Sequence, residues 1–134
     1  MTIAEKVKAL GLPEGAFVVV GSGVMDAMGI RKAVDIDIVV ATDVFESLRQ
    51  RGWQVDDSDS VHPTIRRDEF EVSTAWRSPW GAMTVSDLQD DIVVIDEVAF
   101  VGLRLLLDWK RAAGRAKDIR DATLIESHLL GAGG

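Results

Sequence analysis

Residues 18–40 read VVVGSGVMDAMGIRKAVDIDIVV. An apolar run ends in Gly21-Ser22-Gly23, a short amphipathic segment closes at Gly29, and Asp35 and Asp37 then open a second apolar run. The two runs predict strands over 16–20, covered on both faces, and 35–40, with its acids on one face and apolar residues on the other. Residues 22–28 between them suit one or two helical turns. Side chains at i and i+2 of a strand share a face, so Asp35 and Asp37 project together. Two bare carboxylates there repel one another and lose hydration. A shared hard cation such as Mg²⁺ relieves both problems. The glycine turn complements them, because glycine lets backbone N–H groups approach a ligand closely at the start of a helix. No Gly-Lys-Ser/Thr follows, which excludes a P-loop. Asp26 stands where a dinucleotide fingerprint needs its third glycine.

Outward from this stretch, Thr2 and Glu5 form a capping-box pattern before the stripe Ile3, Val7, Leu10, and Gly11 and Pro13 stop that helix. A second helix opens at Thr42-Asp43, with Asp43 and Glu46 as its capping pair, and stops at Gly52. Residues 53–55 read as a short strand and 56–60 as a polar loop. Residues 61–66 and 70–76 read as an antiparallel pair turning near Asp68. His62-Pro63 makes the first of these an edge strand. A loop at 78–81, a strand at 92–95, a long helix at 97–111 with Val98, Val101, Leu105 and Leu106 at helical spacing, a break around Gly114 and a last helix at 118–130 complete the chain. The expected fold is mixed α+β, a short mixed sheet with helices packed on it and two C-terminal helices, in a single domain spanning 1–134.

Composition bounds the function. The chain has 134 residues, 47% hydrophobic and 28% charged, which suits one hydrophobic core. It has no cysteine, which excludes disulfides and cysteine-ligated metals. Its net charge of −7 argues against strong non-specific nucleic-acid binding, which needs Lys and Arg on phosphates. No signal-peptide core and no apolar run near the ~20 residues of a membrane span are present. A cytoplasmic location is expected, with no membrane partner.

The segment GSGVMDAMGIRKAVDIDIVV, residues 21–40, resembles the first motif of the DNA-polymerase-β-like nucleotidyltransferase superfamily: a glycine-serine turn after a strand, a short helix, then Asp-x-Asp opening the next strand. The step Gly29-x-Arg31 is similar to the small bacterial branch containing abortive-infection and toxin–antitoxin nucleotidyltransferases. LLLDWKRAAGRAKDIRDATLIESHL, residues 105–129, resembles the Lys…Gly-Arg-x-Lys-Asp-x-x-Asp segment of that branch. The haloacid-dehalogenase-like phosphotransferases also use Asp-x-Asp, but after an apolar strand; here Arg31, Lys32, Ala33 and Val34 precede the acids. The chain departs from the pattern at Val34, where Ser or Thr is common, at Gly23, where a bulkier residue is usual, and in a Gly29–Asp35 gap one residue short.

The resemblance implies a nucleotidyltransferase fold and Mg²⁺-dependent transfer (Mn²⁺ being the alternative ion) of a nucleoside monophosphate from a nucleoside triphosphate to an acceptor hydroxyl. The acceptor class stays open among protein, RNA and a small molecule such as an antibiotic. Asp35 and Asp37 are the expected metal ligands. Glu71, in the apolar-acid-apolar setting Phe70-Glu71-Val72, is the third metal and catalytic acid. Gly21 and Ser22 are expected to cradle phosphates, and Lys110 and Lys117 to contact them. Asp118 is read as the last helix's N-cap, and Asp121 as a partner of Arg115 or Lys117. Trp53 and Trp109 are assigned to packing, while Trp76 and Trp80 flank a loop suited to stacking on a base. His62 and His128 stand apart as surface or packing residues. A cognate antitoxin or a second copy is the implied macromolecular partner. Two rival readings share these residues. One is a catalytically silent nucleotide- or partner-binding module of a toxin–antitoxin pair; the other is a phosphohydrolase with Asp35 as nucleophile.

Overall fold

The most deeply buried strand in the computed structural model, which describes residues 1–56, 58 and 62–133, is Phe17–Val20 (β1). All four of its side chains are buried, as expected of a β-branched run inside a covered sheet. It follows the helix Ile3–Lys8 (α1), whose Thr2–Glu5 capping box is formed. The helix Ser22–Ala27 (α2) then leads to Ile36–Val40 (β2), antiparallel to β1. Helix Thr42–Gln50 (α3) and strands Gln54–Asp56 (β3), Thr64–Arg67 (β4) and Phe70–Ser73 (β5) come next, with β5 parallel to β2. A separate hairpin, Trp76–Ser78 (β6) and Gly81–Met83 (β7), precedes the short helix Val85–Leu88 (α4) and a 3₁₀ turn at Gln89–Asp91. Strands Ile92–Ile95 (β8) and Val98–Val101 (β9) and helices Leu103–Ala113 (α5) and Ala116–Gly133 (α6) finish the fold.

The main sheet runs β3-β4-β5-β2-β1-β9-β8. It is mixed, with β2–β5 and β1–β9 parallel and the other neighbours antiparallel. The α+β expectation holds. The core joins Val18, Val19, Ile38, Val72 and Phe100 of the sheet to Val7 of α1, Met25 of α2, Leu48 of α3, Leu106 of α5 and Ile125 of α6. Among the described residues, no helix is long and apolar enough to cross a membrane.

Several expected elements are corrected. Residues 97–111 are not one helix: Val98–Val101 is a strand, and the helix starts only after Gly102. Asp96 and Glu97 both take positive φ, 49° and 68°, as in the primed turns that match strand twist. Strand 70–76 ends at Ser73, and Trp76 belongs to the separate hairpin. The strand expected over 61–66 is described from Thr64, and β4 is interior because β3 covers it; Pro63 lies outside the ladder, so it costs no hydrogen bond. Val61 and most of the 56–60 loop fall outside the described residues. Asp43 does not cap α3: Ala41 holds that position with no side-chain cap, and Glu46 pairs with Arg49 at 2.8 Å.

Candidate functional site

The chain leaves β1 at Val20, which is in register with Asp37 of β2, and turns at once through Gly21. Gly21 has φ 67° and ψ −148°, a region that essentially only glycine enters. A Cβ there would lie 3.0 Å from Asp37 Oδ2. The glycine therefore serves two ends: it lets the backbone reverse, and it leaves room for the Asp37 carboxylate. Gly23 is explained by packing, since a Cβ would sit 3.1 Å from Val19 Cγ1. The Ser22 hydroxyl donates to the Asp35 carbonyl at 3.5 Å, tying the turn to the start of β2.

Asp37 faces Glu71 across the parallel β2–β5 pair. Burial raises the Asp37 carboxyl first, and the charge of Glu71, a hydrogen bond with Glu71 and the charge of Asp35 raise it further; Lys110 opposes them. The result lies at about 7, against an ordinary 3.8. Asp37 thus keeps a proton up to near neutrality, where an isolated aspartate holds none. Glu71 also forms an ion pair with Arg66, Nη1 to Oε1 2.7 Å, and Arg66 stands opposite it on β4. Asp35 is exposed and acts on Asp37 through charge.

The opposite wall comes from α5 and α6. Lys110 is buried, with Nζ 2.9 Å from Asp121 and 3.5 Å from Asp118. Arg31 grips Asp121 in a two-pronged bond, Nε to Oδ1 and Nη2 to Oδ2, both 2.8 Å. Arg115 donates through Nε to Asp118 at 2.6 Å, and its backbone N–H donates to the same carboxylate at 3.3 Å. Burial pushes both carboxyls up, but bonds from Arg115 to Asp118, and from Arg31 and Lys110 to Asp121, outweigh it and leave both below the ordinary value.

Two expected roles change here. Asp118 is not an N-cap: α6 begins at Ala116, and Asp118 reaches back to the Arg115 N–H from the first turn. Asp121 partners Arg31 and Lys110 rather than Arg115 or Lys117.

All seven residues singled out in the sequence, Gly21, Ser22, Asp35, Asp37, Glu71, Lys110 and Lys117, line one cleft of about 760 Å³. Lys117 is exposed there, so its charge is available to a ligand, whereas that of Lys110 is committed to two aspartates. Trp76 and Trp109 also line the cleft, stacked with centroids 5.4 Å apart and 12° between planes. Trp109 Nε1 donates to the Arg77 carbonyl at 2.7 Å, and Arg115 lies 5.8 Å from the Trp109 ring. Trp80 is half exposed beyond the hairpin turn and does not line the cleft. Trp53 packs near Phe70, 6.3 Å between centroids.

Arg66 has no role in the sequence reading, Arg31 enters only as part of a motif, and Arg115 is paired there with Asp121 where the structure gives it Asp118. Arg66 was findable: a turn at Asp68-Glu69 places Arg67 opposite Phe70 and hence Arg66 opposite Glu71. Asp37 and Glu71 fit a divalent cation chemically, because two neighbouring carboxylates repel one another and a cation would neutralise both. Among the described residues, no three His, Asp or Glu side chains are gathered as a ready-made metal site. Comparison with family models, curated proteins and solved structures found no match to this chain.

Proposed function

We propose that this chain adopts a nucleotidyltransferase fold of the DNA-polymerase-β-like type and transfers a nucleoside monophosphate from a nucleoside triphosphate to an acceptor hydroxyl. The observation that carries this reading is the Asp37–Glu71 pair, set against the Gly21 turn in a cleft that also holds Asp35 and Lys117. Asp35, Asp37 and Glu71 would hold Mg²⁺ or Mn²⁺, which when bound offsets negative charge on the phosphates.

The chain's own groups then divide the work. The turn at Gly21-Ser22 offers backbone N–H groups and a hydroxyl to the triphosphate. Lys117 supplies positive charge to it. The stacked Trp76–Trp109 pair, with Arg115 over the Trp109 ring, gives the cleft an aromatic wall against which a base would lie. In the transfer, the acceptor oxygen bonds to the α-phosphorus as the bond to the pyrophosphate oxygen breaks. The acceptor's proton goes to Glu71, the carboxylate in register with Asp37. Lys110 holds α6 to α5 through its two aspartates, rather than contacting phosphate.

A second reading, nucleotide binding without transfer, is favoured by one observation: Glu71 is already held by Arg66, and the three acids are not gathered as ligands. Label position separates the readings. The chain is incubated with Mg²⁺, cell lysate and each nucleoside triphosphate labelled at the α- or the γ-phosphate. Transfer predicts that α-label joins an acceptor while γ-label leaves as pyrophosphate. Silent binding predicts retention of both labels in unreacted nucleotide. A phosphohydrolase predicts release of γ-phosphate and a hydroxylamine-labile acyl-phosphate adduct on Asp35.

A further inference from the structure

At the β8 edge of the main sheet, Asp90-Asp91-Ile92-Val93-Val94-Ile95-Asp96-Glu97 reads nearly the same in both directions. Among the described residues β8 pairs only with β9, so its other backbone edge is open. Val93 and Val94 are 39% and 66% exposed. An open apolar edge is a template for another strand. The opposite edge strand, β3, is shorter and more polar, with Gln54 and Asp56 flanking Val55.

The acids at both ends decide what kind of strand can add. Asp90, Asp91, Asp96 and Glu97 are all exposed. Asp96 pairs with Lys8 at 3.1 Å; the other three have no ion pair or side-chain hydrogen bond among the described residues. A second copy pairing antiparallel would match Ile92 with Ile95 and Val93 with Val94. It would also bring Asp90 and Asp91, in the turn before β8, close to Asp96 and Glu97 of the other copy, in the turn after it. Like charges brought close repel, so the acids work against self-pairing. They favour an incoming strand with positive ends, because complementary charge steers encounter and fixes register. We propose that the free edge of β8 receives an extended segment of a partner protein, apolar in its centre and basic at both ends. The backbone ladder would supply affinity, and the acidic brackets specificity. This surface lies outside the cleft and does not depend on the transferase reading.

The test uses fluorescently labelled peptides and the whole chain, read by anisotropy. One peptide has an Ile-Thr-Val-Thr centre flanked by lysine pairs; a second has the same centre flanked by glutamate pairs. The lysine peptide is expected to bind about tenfold more tightly or better, the sum of several exposed charge pairs. Val94→Asp, with its fold verified by circular dichroism, should abolish binding although it adds negative charge. Asp90→Lys/Asp91→Lys/Glu97→Lys, three exposed changes, should reverse the peptide preference. Failure of the lysine peptide to bind would overturn the proposal, as would equal binding by the Val94→Asp variant or indifference to the flanks. So would concentration-dependent self-association that Val94→Asp removes, because the occupant would then be a second copy.

Discussion

Asp37 and Glu71 face one another from adjacent parallel strands, close enough to share a hydrogen bond. Neighbouring carboxylates in a partly buried position are an expensive arrangement for a protein that needs only stability. The fold supports them from both sides. Arg66 neutralises Glu71 at 2.7 Å, and Gly21 leaves open the space beside Asp37.

The first prediction is a pH dependence. Asp37 has its carboxyl raised from 3.8 to about 7, so the folded state binds its proton more tightly than the unfolded state does. Stability should therefore be fullest below about pH 4 as far as this group is concerned, and fall as pH rises towards 7. Asp37→Asn should flatten that slope and stabilise the ligand-free chain at pH 8, by on the order of a few kcal/mol. Urea titrations of both proteins at several pH values check it. A slope unchanged by the substitution would remove Asp37 as its source.

A second prediction concerns Gly21. Gly21→Ala forces a side chain into a glycine-only backbone region and sets its Cβ 3.0 Å from the Asp37 carboxylate. The expected cost is about 1–3 kcal/mol in stability. Loss of nucleotide binding should exceed what that destabilisation explains, since Asp37 must move. Thermal melts and nucleotide titrations on the same sample separate the two effects.

The buried ion network gives a third. Asp121→Ala leaves Lys110 with only the 3.5 Å contact to Asp118, and strips Arg31 of its two-pronged partner. Removing one member of a buried charged group costs about 3–5 kcal/mol. Lys110→Met should be milder, because Arg31 still satisfies Asp121 and Arg115 still satisfies Asp118. Chemical denaturation orders the two variants; the reverse order would contradict the assigned pairings.

That the residues singled out share one cleft was more legible than the fold around it, for a physical reason. Gly21, Asp35 and Asp37 lie within one strand–helix–strand segment, where spacing alone fixes faces and turns. Glu71 required only the apolar residues beside it. The burial of Lys110 was not legible because a helical lysine ordinarily reaches water; it follows from its pairing with Asp118 and Asp121 on α6. The strand β9 was hidden because Val98 and Val101 suit a helical stripe as well as a β-branched strand. Its turn carries Asp-Glu, without the glycine or asparagine that normally marks positive φ. Arg66 depended on register, which pairs residues through a turn rather than through neighbouring sequence.

That turn supplies a fourth prediction. Glu97 sits at φ 68°, a conformation a non-glycine residue adopts at a cost. Glu97→Gly should stabilise the chain by up to about 1 kcal/mol, the relieved strain exceeding glycine's added unfolded-state entropy. A thermal midpoint that falls instead would show that Glu97 makes a compensating contact.

The central claim, that Asp35 and Asp37 carry nucleotidyl transfer, is tested most directly by α-label incorporation with the wild-type chain and the Asp35→Asn/Asp37→Asn double variant. Both are assayed with Mg²⁺ and the same lysate after circular dichroism shows equal folding. The account predicts a labelled acceptor with the wild type and none with the double variant. Equal labelling by the two proteins would contradict it.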